Sequence, residues 1–261
     1  MTPRRVPRFA TRRFVGASLR RGSLGVLAVL LASSGCATKV GRDGTREVEV
    51  HPRYIAKTDV DRFVDASRYE VMTGLRRLTE KLYKRNPREW RKSGQASPEA
   101  AVERLFGNGG IGGVTEFAEL GGRREAAAVL LAFSADHRGD RVLALMGGLL
   151  GMVDAAFLHK DDFYMLDDLD AQKLYNCARN LEIALWKLSS ARAADGEPFL
   201  LANELDPKHP NLSFEREFGR LIGVLDLLSA VVADKNGRSL TRFTQSIATA
   251  VFLPVGALGI K

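Results

Sequence analysis

A chain of 261 residues with 45% hydrophobic side chains holds enough apolar material for a substantial core, and two cysteines are too few for a disulfide-built scaffold. Its formal charge of +8 suggests an anionic partner, but seven of the 39 basic residues are arginines within the first 21 positions, and removing them leaves 32 basic against 31 acidic residues. The excess charge belongs to the start of the chain, so no general case for nucleic acid or an acidic substrate survives.

Those arginines, Arg4, Arg5, Arg8, Arg12, Arg13, Arg20 and Arg21, precede an apolar run from Leu24 that leads through Ser33-Ser34-Gly35 to Cys36. A basic region, an apolar run of roughly nine residues and small residues before a cysteine follow the order of an export signal. The stretch resembles a bacterial lipoprotein signal: Ser34 and Gly35 fit the pattern, and Ser33 stands where it favours leucine. The resemblance implies cleavage before Cys36 and lipid attachment at Cys36, as a triacylated N-terminus. The run is also short of the ~20 residues of a spanning helix. Arg12-Arg13-Phe14-Val15 bears a weaker likeness to a twin-arginine export signal. Ala37 follows the cysteine, where the lipoprotein pattern would place Asp for inner-membrane retention, so the implied location is the periplasmic face of the outer membrane.

The organisation expected is a signal peptide over residues 1–35, a lipidated N-terminus and flexible tether over 36–57, and a single domain over 58–261. The tether carries Gly41, Gly44 and Pro52 without a sustained apolar period. Val48 to Val50 would suit a short strand, though a lone strand has little to pair with. From Thr58 onward Val60, Val64, Val71, Leu75, Leu78 and Leu82 recur at helical spacing, with a cap at Thr58 and Asp61 and a stop at Pro87. Ser97-Pro98-Glu99 opens a second helix that Gly107 closes.

Seven glycines between Gly107 and Gly122 invite a phosphate-loop reading, but a helix precedes them and no Lys-Ser or Lys-Thr pair follows, so a connection around a short turn at 115–120 is expected. Helices are expected over Arg123–His137 and Arg141–Leu158. The second is apolar nearly all round, which suits either the centre of a bundle or a membrane span; Asp154 favours the bundle.

His159 to Asp170 gathers Asp161, Asp162, Asp167, Asp168 and Asp170 around Phe163, Tyr164, Met165 and Leu166. The carboxylates lack the spacing of a calcium loop, and the simpler reading is a solvated connection in which Asp168 or Asp170 caps the next helix. That helix runs to about Arg192 on a face of Leu174, Cys177, Leu181, Leu185 and Leu188, which makes Cys177 a buried, inert thiol. After a Pro-containing connection, Ser213 starts the most regular helix, with Phe214, Phe218, Leu221, Leu225, Leu228 and Val232 on one stripe. A last helix is expected from Ser239 to about Leu253, and then an apolar tail that packs on the bundle.

His51, His137, His159 and His209 are scattered, and the motifs of zinc proteases, serine hydrolases and penicillin-binding chemistry are missing. No metal ligand or cofactor is expected. Glu182 and Asp226 sit beside apolar stretches but read as helix-face ions. Arg85, Arg88, Arg91 and Lys92 around Trp90 form the one basic and aromatic cluster after the signal, read as a solvated helix end. The segments Tyr175-Asn176-Cys177-Ala178-Arg179-Asn180 and Asn211-Leu212-Ser213-Phe214-Glu215-Arg216 resemble an uncharacterised group of proteobacterial envelope lipoproteins, which implies an envelope location and no activity.

The expectation is thus an all-α bundle of about seven or eight helices behind a lipid-anchored tether. Its expected role is non-catalytic binding or scaffolding of another envelope protein or polymer, with the membrane reached through acyl chains on Cys36. The competing expectation is a carboxylate-dependent hydrolase or transferase acting on envelope polymers, which would need an interhelical cleft with paired carboxylates.

Overall fold

The computed structural model describes residues 37–40, 46–49, 57–107, 116–204, 208, 210–237, 240, 241, 247 and 249–256. The signal with Cys36, the residues His51 and His209, and the glycine-rich stretch 108–115 lie outside the described residues. The chain divides into two compact units, Met1–Lys57 and Thr58–Lys261.

In the first unit, β1 (Ala37–Val40) pairs antiparallel with β2 (Arg46–Glu49), Ala37 opposite Glu49 and Val40 opposite Arg46. The strand expected about Val48 therefore has a partner, supplied by the residues just after Cys36.

The second unit is all-α, with seven α-helices among its described residues. The first, α1 (Asp59–Arg85), starts in a capping box: the Thr58 hydroxyl accepts from the Asp61 N–H at 3.2 Å and the Asp61 carboxylate accepts from the Thr58 N–H at 2.7 Å. It ends at Asn86, because Pro87 cannot continue the hydrogen-bond ladder and instead opens the short α2 (Pro87–Lys92). In α3 (Pro98–Phe106) the Ser97 hydroxyl accepts from the Ala100 N–H at 3.1 Å, and Gly107, at φ 72°, closes the helix in a conformation that a side chain would resist. A single 3-10 turn, Ala118–Leu120, follows.

Next come α4 (Glu125–Ala132) and α5 (Arg141–Ala156). All of α5 except Arg141 and Asp154 is buried, and the helix packs against α4, α1, α6 and α2. Its apolar circumference is that of a central helix, and no described helix is long and apolar enough to cross a membrane. Gly148 sets the approach of α4: a Cβ there would lie 2.6 Å from the Glu125 carbonyl oxygen. The helix α4 is shorter than the sequence pattern suggests. Its end is tied off by the Arg141 guanidinium, which donates to the carbonyls of Ala132, Ser134 and His137 at 2.7 to 2.9 Å and so satisfies acceptors that a longer helix would use itself.

The remaining helices, α6 (Ala171–Ser190) and α7 (Ser213–Lys235), pack on each other, and α7 also packs on α1. The stripe Phe214, Phe218, Leu221, Leu225, Leu228 and Val232 is buried throughout, as are Leu174, Cys177, Leu181 and Leu188 on α6. Leu185 is only partly covered.

The last expected helix differs from the structure. Where the stretch 239–253 is described, its residues are not helical: Leu240, Thr241 and 250–253 have no regular structure, and Ile247 and Thr249 lie in turns. The physical reason lies on α6. Gln172 accepts from the Thr241 N–H and donates to its carbonyl, Asn180 does the same at Leu253, and Asn176 donates to the Pro254 carbonyl. Two of the groups they hold, the Thr241 carbonyl and the Leu253 N–H, are ones that a helix over 239–253 would pair internally. The tail itself is covered at Val255, which is buried.

Candidate functional site

The loop that carries the five aspartates begins at the end of α5, where Phe157 closes the helix. Leu158 and His159 then both take left-handed backbone conformations, φ 58° and 57°, which cost free energy for residues other than glycine. Beyond them Phe163 is buried against Phe157, with ring centroids 5.9 Å apart, and its N–H donates to the Asp65 carboxylate on α1 at 2.9 Å.

The aspartates are divided among separate partners. The buried Arg68 guanidinium pairs with Asp161 at 2.6 Å. Asp167 accepts from the Tyr164 N–H at 2.9 Å and pairs with Lys160, which holds its carboxyl below the usual range. Asp168 accepts from Asn236 at the end of α7, and Asp170 caps α6 by accepting from the Gln172 N–H, both at 2.9 Å. Among the described residues no group of three or more His, Cys, Asp or Glu side chains is arranged to hold a metal ion.

Anchoring both flanks leaves the middle of the loop outside. Tyr164, Met165 and Leu166 are 36%, 61% and 92% exposed. Three consecutive large apolar or amphipathic side chains in water, on a loop held to α1, α6 and α7, form an exposed apolar tip rimmed by carboxylates. The sequence pattern draws the eye to the aspartates; which neighbouring residues are buried is decided by Asp65 and Arg68, almost a hundred positions earlier.

The other candidates are built differently. Glu182 and Asp226 share Arg179, at 3.2 and 2.6 Å, which joins α6 to α7; burial pushes the Glu182 pKa up while Arg179 opposes it. In the basic cluster Arg85 pairs with Glu204, Lys92 with Glu89, and the Arg91 guanidinium lies 4.8 Å from the Trp90 ring centre. A cleft of about 210 Å³ between α1 and α3 is lined by Glu80, Glu99 and Glu103 together with Arg76 and Lys84. It is smaller than the ~300–1,000 Å³ usual for small-molecule sites, and Arg76 pairs with Glu80 at 3.5 Å. Cys177 is fully buried and burial pushes its thiol pKa well up, so it has neither the access nor the thiolate character of a nucleophile.

No protein-family model matches this chain, and comparison with curated proteins and with solved structures likewise gives no match.

Proposed function

We propose that this chain is a lipoprotein of the bacterial envelope, held by acyl chains on Cys36 at the periplasmic face of the outer membrane, and that its helical domain binds another envelope protein through the Tyr164-Met165-Leu166 tip. The observation that carries this reading is the tip itself: the fold accepts two strained backbone positions and a set of ion pairs to present an apolar loop to water. Backbone strain beside an exposed apolar tip supports the reading of a surface completed by something else. Five aspartates against one lysine in residues 158–170 disfavour anionic lipid headgroups and favour a protein face with an apolar pocket and basic rim. The clefts that would suit a carboxylate hydrolase, between α1 and α3 and, at about 400 Å³, beside Glu182 and Glu215, hold Glu80, Glu182 and Glu215 on protein partners, which favours the binding reading.

Two measurements test the proposal separately. Cys36→Ser should abolish metabolic labelling with a fatty acid, and label retained in that variant would sink the anchor. Met165→Ser with Leu166→Ser should leave the far-UV circular dichroism unchanged and remove the envelope protein that crosslinks to the wild-type chain; undiminished crosslinking would sink the docking role of the tip.

A further inference from the structure

The described segment 249–256 is held by side chains of the bundle along part of its length. Its fixings are side chains of the bundle that bond its main chain. Asn180 on α6, buried, donates to the Leu253 carbonyl and accepts from the Leu253 N–H, each at 2.7 Å. One turn earlier Asn176, also buried, donates to the Pro254 carbonyl at 2.8 Å, and is itself braced by Gln172. From α4, the Glu125 carboxylate accepts from the Gly256 N–H at 3.2 Å.

Glu125 is itself strained, at φ 47°, a conformation costly for a residue with a side chain. A Cβ on Gly256 would meet the Glu125 carboxylate, so a larger residue at that position requires the Glu125 side chain to swing aside. Of the segment's own side chains only Val255 is buried; Val251 is 68% exposed, Pro254 is exposed, and Phe252 and Leu253 are half covered.

Amide side chains one helical turn apart that bond both the N–H and the C=O of a passing chain are a means of gripping a peptide by its backbone. They select conformation, with specificity left to the site that buries the aliphatic Val255.

We propose that the surface formed by Asn176, Asn180 and Glu125 is a peptide-binding groove for a non-helical segment bearing an aliphatic residue, and that residues 252–256 are its resident ligand in cis. A partner protein carrying such a segment binds by displacing the resident one. The exchange is local, since the segment is held by a few bonds and one buried side chain while α6 and α4 stay in the core. The cis segment competes at the millimolar effective concentration of a tethered ligand, so the groove is masked until a partner is abundant or the tail is loosened. The proposal stands on a different surface from the loop tip and does not depend on the lipid anchor.

The probe is a fluorescein-labelled peptide of residues 249–258, Thr-Ala-Val-Phe-Leu-Pro-Val-Gly-Ala-Leu, followed by fluorescence anisotropy. In the full chain, Val255→Asp removes the anchor of the cis segment, and this variant should bind the peptide at least tenfold more tightly than wild type. Adding Asn180→Ala should reverse the gain, and a scrambled peptide should not bind. A Val255→Asp chain with native circular dichroism that binds the peptide no better than wild type would overturn the proposal, as would equal binding of the scrambled peptide. If Val255→Asp fails to fold, the wild-type chain decides: excess peptide should accelerate limited proteolysis within residues 249–256 by displacing them, and an unchanged cleavage rate overturns the groove. Dimers of the full chain that disappear on adding the peptide would show exchange of tails between copies and would overturn the assignment to a separate partner.

Discussion

Tyr83 and Asp140, fifty-seven positions apart, meet in a hydrogen bond of 2.9 Å that neither shares with bulk water. The same carboxylate accepts from the Ser93 hydroxyl at 3.0 Å and, through its other oxygen, caps α5 by accepting from the Leu143 N–H at 2.9 Å. One side chain therefore joins α1, the turn after α2 and the start of the central helix. Asp140→Ala should cost roughly 2–4 kcal/mol, combining a lost cap of about 1 kcal/mol with buried hydroxyl donors left without an acceptor. Urea unfolding measures it, and a double-mutant cycle with Tyr83→Phe should show positive coupling; additive effects would mean that the two residues act independently.

The pH dependence of this group has a definite sign. Burial raises the Asp140 pKa above its ordinary value, with the hydrogen bonds from Leu143, Tyr83 and Ser93 acting the other way. Between the unfolded and folded values the native state binds more protons, so stability from this group is complete below the unfolded pKa and is lost as pH rises through the folded one. Compared with Asp140→Asn, which does not titrate, the wild-type chain should have its largest relative stability below the ordinary aspartate pKa and lose ground as pH rises above it. A relative stability that instead grows with pH would show that the anion is the favoured form.

Much of this architecture can be read from local pattern. The stripe from Phe214 to Val232 and the Ser97-Pro98 start with its Gly107 stop are formed by neighbours in sequence, and their helices lie where the spacing puts them. What escapes local reading is decided by distant partners. The segment after Ser239 has helical spacing, yet Gln172, Asn176 and Asn180, some seventy positions earlier, take its main-chain groups. A sign of this was present on α6 itself, where two asparagines one turn apart are poor helix formers without some other use. The loop tip escaped for the same reason, since Asp65 and Arg68 choose which of its apolar residues are buried.

Leu225 lies fully buried at the middle of the α7 stripe, between helices α6 and α1. Leu225→Ala should lower the unfolding free energy by roughly 2–5 kcal/mol, the lost transfer energy plus a cavity. A change below about 1 kcal/mol would show that the helix pair closes over the gap.

Calcium tests the distribution of the loop aspartates. Because Asp161, Asp167, Asp168 and Asp170 are each bonded to a different protein group, a cation would have to break an ion pair or a cap before finding two ligands. Added calcium should therefore raise the melting temperature no more than sodium chloride of equal ionic strength. A specific site would add RT ln(1 + [L]/Kd), about 2.7 kcal/mol at a hundredfold excess, and a saturable rise lost in Asp161→Asn with Asp168→Asn would establish one.

The glycines of the helices give the sharpest contrast, because the same substitution should act in opposite directions at two places. At Gly148 in α5 an added Cβ would lie 2.6 Å from the Glu125 carbonyl oxygen and 2.8 Å from the Val129 nitrogen, and backbone of α4 cannot swing aside as a side chain can. Gly148→Ala should therefore destabilise by about 1–3 kcal/mol or more through overpacking. Gly223 in α7 is exposed and a Cβ there meets nothing within 4 Å. Gly223→Ala should stabilise by roughly 0.5–1 kcal/mol, chiefly by restricting the unfolded chain. Thermal unfolding of the two variants side by side decides the matter: opposite shifts in Tm are expected, and a neutral Gly148→Ala would show that α4 and α5 are not packed backbone against backbone.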